Sequence, residues 1–201
     1  MTPEDVAARL AEVLDVPEVT TGVSGGQAYA RGTVDVPPPS WRDAVRVARD
    51  DAELACDFFD WLSAVDELAE GFTVVAHLWS TRRRHGVLLR TRLPRDAATV
   101  ASVVDLFAGA DWHERETHEM FGIDFAGHPG LRPLLLPPEF EGHPLRKEFV
   151  LASRVAKPWP GAKEPGEAEG GAGRRQPMRP PGVPLPTEWG PQAGQGAGGE
   201  A

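Results

Sequence analysis

Residues 72–79 read Phe-Thr-Val-Val-Ala-His-Leu-Trp, and this short run constrains the fold more than any other part of the chain. Phe72, Val74, Ala76 and Leu78 alternate with Thr73, Val75, His77 and Trp79, and both sets are largely apolar. A strand that is apolar on both faces belongs in the middle of a sheet, with material packed on either side. Residues 61–67 and 85–93 read as its neighbours, and the basic turn Thr81 to Gly86 suits a hairpin between strands. Arg82, Arg83 and Arg84 in that turn fit either a solvated loop or a contact with an acidic partner. Pro94 ends the sheet.

Helices are written around this strand. Thr2 can cap a helix that has Pro3 at its first position and acids in its first turn. Val6, Leu10, Val13 and Leu14 follow helical spacing until Pro17. Residues 19–36 read as extended, with a Gly-rich turn at Gly22 to Gly26. After Pro37-Pro38-Pro39, Ser40 caps a second helix carrying Trp41, Ala44, Val45 and Ala48 on one face. Val100, Val103, Val104 and Phe107 stand at i, i+3, i+4 and i+7, the spacing of an amphipathic helix closed by Gly109. Asp111 opens a further helix, and Asp111 with Glu114 has capping-box spacing.

That last helix has an unusual face. With Trp112 at 0°, Glu116 falls near ~40°, Glu119 near ~340° and Arg115 near ~300°, at about 100° per residue. Charges therefore share the side of a large apolar residue, where an unpaired charge costs several kcal/mol to bury. Arg115 is expected to pair with Glu116, with Glu119 or with an acid elsewhere, or to meet a partner subunit, and Arg132, Arg146 and Lys147 are candidate counter-charges downstream. Beyond Gly122 the chain turns irregular, with Pro129, Pro133, Pro137, Pro138 and Pro144. It stays apolar at Leu131, Leu134, Leu135, Leu136 and Phe140. An irregular segment this rich in leucine needs a surface to pack on.

Residues 157–201 hold nine prolines and eleven glycines and no apolar period. Such a tail cannot bury enough surface to offset its ordering entropy, and 153–201 is expected to be disordered. The net charge of −9 argues against nucleic acid, whose binders need basic stripes. The single cysteine, Cys56, can neither close a disulfide within the chain nor hold an iron–sulfur cluster, which takes about four thiolates. The N-terminus lacks the basic and apolar regions of a secretory signal, and no apolar run approaches the roughly 20 residues of a membrane helix.

The run His113 to Glu119 invites a metal reading. Metal-binding helices place two histidines four apart, about 40° around the helix, whereas His113 and His118 are five apart, about 140° around. A hydrolase using His113, Glu114 and His118 stands as an alternative that metal analysis would test. The sequence has no nucleophile elbow, no phosphate-binding loop and no dinucleotide fingerprint.

The segment Glu114-Arg115-Glu116-Thr117-His118-Glu119-Met120-Phe121, followed by His128, Arg132 and Leu134-Leu135, resembles the signature of the C-type subunit family of NADH-quinone oxidoreductase, respiratory complex I. Phe121-Gly122-Ile123, Gly127-His128-Pro129, Glu141 to Lys147 and the run Leu62 to Asp66 resemble that family too, so the similarity spans roughly residues 45–152. Thr117-His118 and Pro133 depart from its pattern. The resemblance implies a non-catalytic structural subunit of the cytoplasmic arm of a proton-translocating NADH:quinone oxidoreductase. It implies no cofactor and no metal in this chain, with NADH, FMN, iron–sulfur clusters and quinone held by partner subunits. The partners implied are chiefly the D-type, quinone-site subunit and its iron–sulfur neighbours. The location implied is peripheral, on the cytoplasmic face of the cell membrane. An equivalent scaffold in a membrane-bound hydrogenase or a deazaflavin-cofactor dehydrogenase is the alternative.

The expected architecture is α+β over residues 1–152. A mostly antiparallel sheet of about four strands is flanked by helices, and 122–152 extends as a docking arm. Glu114, Arg115, Glu116, Phe121, Gly122, His128, Arg132, Arg146 and Lys147 are the expected structural and docking network.

Overall fold

The computed structural model describes residues 1–26 and 29–149, which lie within one compact unit, Met1–Ser153. In chain order the elements are α1 (Pro3–Leu14), β1 (Thr20–Ser24), β2 (Arg31–Asp35), α2 (Trp41–Asp50), β3 (Phe58–Asp66), β4 (Phe72–Ser80), β5 (His85–Leu93), β6 (Thr99–Ala101), α3 (Ala110–Phe121) and β7 (Asp124–Ala126). The expected disorder of residues 153–201 lies outside the described residues.

The α+β architecture is as read from the sequence. Five strands order as β1-β2-β5-β4-β3, and a second small sheet pairs β6 with β7. The extra strand arises because residues 19–36 form a hairpin, with Thr20 opposite Asp35 and Ser24 opposite Arg31. β2 runs parallel to β5, and the other neighbours in the large sheet are antiparallel. α1 starts with a reciprocal capping box between Thr2 and Asp5 and ends at Asp15 in the left-handed conformation. Ser40 precedes α2 but makes no capping bond; the short 3-10 turn Pro38–Ser40 leads straight into the helix.

All three helices lie on one face of the large sheet. Val34, Val74, Ala76, Leu78, Val87 and Leu89 point to that face and are fully buried. α1 presents Val6, Ala7 and Leu10, and α2 presents Trp41, Ala44, Val45 and Ala48. α3 packs beside β3, where Phe121 meets Phe72 edge-on at 6.3 Å. Burial of these side chains, worth roughly 1.5–3 kcal/mol for each large aliphatic or aromatic one, provides the main drive to fold. The expectation of a central strand buried on both faces is met: β4 lies between β5 and β3, and only Val75 and Trp79 of its nine residues are half-buried, the outward-facing Thr73 and His77 being buried too.

A correction concerns residues 100–107. They do not form an amphipathic helix. Val100 enters β6 opposite Phe125 of β7, and Val103 to Phe107 makes a single turn closed by the Phe107 N–H on the Val103 carbonyl at 2.9 Å. A short strand followed by one turn buries Val100 and Val103 as well as a helix would, and β-branched residues favour the strand. The backbone N–H of Val103 is moreover engaged by α3, as described next.

Candidate functional site

α3 and the irregular segment after it form the densest polar network in the described chain. The helix has no side-chain cap at Gly109, so the expected capping box of Asp111 and Glu114 is not made. Glu114 instead points into the core on the face shared by Ala110, Thr117, Met120 and Phe121. Its carboxylate accepts from Ser102 Oγ at 2.6 Å and from the Val103 N–H at 2.8 Å. No cation faces it among the described residues, and burial pushes its carboxyl up to about 7, against the lowering effect of those two hydrogen bonds.

The charges that share the side of Trp112 do not lie on an apolar face. Trp112 is 61% exposed and stacks with Arg115 at 5.4 Å. That side of the helix lies under the arm, and its charges serve the arm's backbone. The Arg115 guanidinium donates to the carbonyls of Arg132 and Pro133, both at 3.1 Å, and reaches Asp111 only at 3.8 Å. Of the acids expected to pair with Arg115, neither Glu116 nor Glu119 does; the acid is Asp111, and main-chain oxygens take the closer bonds. Glu119 accepts three consecutive N–H groups, from Leu134 at 3.2 Å, Leu135 at 2.8 Å and Leu136 at 3.1 Å. Burial alone would raise its pKa, but the N–H groups of Leu135, Leu136 and Leu134, with Arg115 nearby, hold the carboxyl below its ordinary value. An irregular segment has no ladder to satisfy its own peptide groups, so side chains of the neighbouring helix must do it.

The exchange runs in both directions. The last carbonyls of a helix lack partners within it, and here the arm supplies them. His143 Nδ1 lies 2.9 Å from the Glu119 oxygen, the Leu145 N–H donates to Met120 at 3.1 Å, and Arg146 Nε donates to Phe121 at 2.6 Å. Gly122 makes this return possible. It sits at φ 71°, and a Cβ there would come within 2.5 Å of both Arg146 and His143. His128 has a fully buried side chain, accepts from the Gly130 N–H at 2.9 Å through Nδ1 and lies 3.3 Å from Asp111 through Nε2.

The far end of the arm is tied to the large sheet. Asp66 closes β3, is 3% exposed, and accepts from Arg95 at 2.7 and 3.2 Å, from the Leu68 N–H at 2.8 Å and from the Lys147 N–H at 2.8 Å. The Arg95 guanidinium lowers the Asp66 pKa well below the carboxylate range, and burial opposes it without prevailing. Arg95 also pairs with Glu148, and both Arg95 and Arg146 lie against the Phe72 ring, at 4.8 and 5.4 Å.

Of the residues singled out from the sequence, Arg115, Phe121, Gly122, His128 and Arg146 meet in this network. Glu114 belongs to the core beneath it. Arg132 and Lys147 enter through their main chains, and their side chains are exposed. Glu116 is exposed and forms no ion pair among the described residues. His113 and His118 diverge as their spacing requires: His113 lies 5.6 Å from the Phe59 ring, and His118 Nδ1 lies 3.0 Å from the Ile123 oxygen. No group of three or more metal-ligating side chains occurs among the described residues. Asp66, Arg95, Glu119 and His143 were missing from the expected set. A signal for Asp66 existed, because period two places it on the inward side with Leu62 and Ala64, where a carboxylate demands a partner.

A model of the family described as "Respiratory-chain NADH dehydrogenase, 30 Kd subunit" matches residues 34–155. The chain belongs to that family. The C-type subunit of NADH-quinone oxidoreductase from Roseiflexus castenholzii is 42% identical over 132 residues, covering 64% of this chain and 76% of the relative. Its Rhodobacter capsulatus counterpart is 38% identical over 154 residues, covering 76% and 75%. A C/D-type subunit of NADH-quinone oxidoreductase from Cronobacter sakazakii is 42% identical over 101 residues, which is 50% of this chain but 17% of that longer protein. Among solved structures, an archaeal membrane-bound sulfane sulfur reductase complex contains a chain matching at TM-score 0.62 and 26% identity, over 75% of this chain and 87% of that one. A trypsin-resistant fragment of Nqo5 matches at TM-score 0.53 and 21% identity, over 62% and 98%, and supports the fold. The matched segment takes in the end of β2, β3 to β7, α2, α3 and the whole described arm.

The balance between α3 and the arm can be tested directly. Glu119→Ala removes three charge-assisted bonds at once, each worth more than a neutral one, and should weaken arm closure by about 2 kcal/mol. Amide exchange at Leu134, Leu135 and Leu136 should then accelerate roughly thirtyfold, with the sheet unaffected. Unchanged protection at those three amides would show that Glu119 does not hold the arm.

Proposed function

We propose that this subunit is a non-catalytic scaffold in the peripheral arm of a proton-translocating NADH:quinone oxidoreductase, docking through residues 122–149 onto the D-type, quinone-site subunit. The observation that carries the reading is how the arm is built. Its peptide groups are satisfied by α3 and Asp66, while Leu135 and Leu145 stay 59% and 53% exposed. An irregular segment pinned through its backbone and apolar on the outside is made to meet another apolar surface. A cleft of about 280 Å³ between α3 and the arm, walled by Leu131, Pro133, Leu136 and Phe140, adds to that relief. The relative that joins C-type and D-type parts in one chain fits a direct contact between the two. NADH, flavin, clusters and quinone belong, in this reading, to the partner subunits. The scaffold reaches the cytoplasmic face of the membrane through them; no helix among the described residues is long and apolar enough to cross it.

The test is co-expression with the D-type subunit and co-purification. The native chain should bring it down in stoichiometric amount. Arg115→Ala frees the carbonyls of Arg132 and Pro133 and should cut recovery at least about tenfold, with the free subunit's far-ultraviolet dichroism unchanged. Normal recovery with Arg115→Ala would remove the docking role of this network. A second reading, the same scaffold in a complex with a different electron donor, draws on the sulfane sulfur reductase match. Failure of the purified native complex to oxidise NADH would favour it.

A further inference from the structure

Trp112 is a large aromatic side chain that the core does not use. Among the described residues, the large apolar side chains more than half exposed are Tyr29, Leu68, Trp112, Leu135 and Leu145. Three of these belong to α3 and the arm, and Trp112, at 61%, is the one tryptophan. Its position beside the arm follows from the bonds between helix and arm. The arm passes Asp111 at His128, Arg115 at Arg132 and Pro133, and Glu119 at Leu134 to Leu136. Trp112 follows Asp111 and precedes Arg115 by nearly one turn, so its ring borders this track without lying under it.

The ring is held in place. The Arg115 guanidinium stacks on it at 5.4 Å, and the same guanidinium donates to two arm carbonyls at 3.1 Å. The Arg115 side chain is only 15% exposed, so the group that fixes the ring is itself fixed. A side chain ordered before association loses little rotamer freedom when a partner covers it. A lone exposed leucine needs no explanation. A pre-positioned tryptophan, stacked on an arginine and beside an arm with exposed leucines, has the make-up of an interface anchor.

We infer that Trp112 is the anchor by which the D-type subunit grips this face, its indole entering an apolar pocket of that partner. Arg115 is the positioning residue, which holds ring and arm in one register. The inference rests on the proposed function and deepens it, because it extends the docking surface from residues 122–149 to the first turn of α3. The occupant is the same one, since a single guanidinium ties the ring to the arm. A body that covers Leu135, two residues beyond the carbonyl that Arg115 holds, comes within reach of the indole as well.

Co-expression of the full-length chain with the D-type subunit tests this. Trp112→Ala should cut recovery of that subunit at least about tenfold, and Trp112→Phe, which keeps a flat ring, should restore most of it. Because the ring is exposed, Trp112→Ala should leave the free subunit's Tm and the amide protection of Leu134, Leu135 and Leu136 unchanged. Native recovery with Trp112→Ala, where Leu135→Glu does lower recovery, would overturn the inference and leave the proposed function standing. Lost recovery accompanied by lost protection at those three amides would overturn it too, since the ring would then act by holding the arm. If neither substitution lowers recovery, or if the native chain does not bring down the D-type subunit, docking through the arm falls and the inference falls with it.

Discussion

Asp66→Ala should cost this subunit about 3 kcal/mol of unfolding free energy, the scale expected when one partner of a buried, hydrogen-bonded charge pair is removed. The side chain is nearly inaccessible and accepts from three places far apart in sequence: Arg95, the Leu68 N–H and the Lys147 N–H. Alanine leaves two peptide N–H groups and part of a guanidinium without partners. For a body of about 150 residues that loss lowers Tm by roughly 10 °C. The loss should not be uniform, because the Lys147 bond is the arm's anchor on the sheet, so protection at Lys147 and Phe149 should vanish before that of β4. The pH dependence has a definite sign. The folded pKa of Asp66 lies below its ordinary value of 3.8, so its contribution is complete above about pH 4 to 5. It is lost as acid takes the pH down through the folded value. Native protein should therefore lose stability on acidification, and the Asp66→Ala variant should lose less, the two curves converging at low pH. Equal acid sensitivity of both would mean that the pair with Arg95 is not what holds the corner.

The difference between what could and could not be read from the chain has a physical origin. Elements defined by local pattern lie close to where the sequence puts them: α1 with its Thr2 cap, α2 with Trp41 and Ala44, and the strands read at 61–67, 72–79 and 85–93, which run 58–66, 72–80 and 85–93. Val100 to Phe107 fails because i, i+3, i+4, i+7 spacing does not separate a helix from a strand plus one turn, and what decides is a contact with Glu114 eleven residues downstream of Val103. Trp112 misleads in the same way. A large aromatic residue anchors the phase of a helical wheel, yet here it lies outside and the buried side carries Glu114. The arm was legible as a segment needing a partner. That α3 itself is its first partner was not, because side chain to main chain bonds leave no trace in residue type at the arm. Leu134, Leu135 and Leu136 are held through their N–H groups, which any residue but proline possesses.

Glu114→Gln isolates the one buried carboxyl among the described residues that faces no cation. Glu114 has no accessible surface, and burial raises its carboxyl from 4.5 to about 7. The sign is opposite to that of Asp66. Between about pH 4.5 and 7 the unfolded chain has already released this proton while the folded one retains it, so native stability falls as pH rises through that window. A displacement of this size corresponds to about 3 kcal/mol between pH 4 and pH 8. Glutamine keeps the shape and still offers an oxygen to the Val103 N–H and an amide to Ser102 Oγ, but it has no proton to lose. The difference in unfolding free energy between Glu114→Gln and the native chain, measured by urea titration, should therefore shift in favour of the variant by about 3 kcal/mol from pH 4 to pH 8. Comparing two chains that differ at one site cancels the titration of every other group, provided those groups lie far enough away not to couple. A flat difference across that range would show that the carboxyl titrates alike in the folded and unfolded states. A difference moving the other way would require a cation close to it. The predicted slope has a consequence for assembly, since Glu114 fixes the 102–104 turn to the helix that supports the arm. In mildly acidic solution α3 and its arm should be at their firmest, and isolated subunit prepared near pH 6 should resist proteolysis of residues 131–149 better than at pH 8, a contrast that Glu114→Gln abolishes.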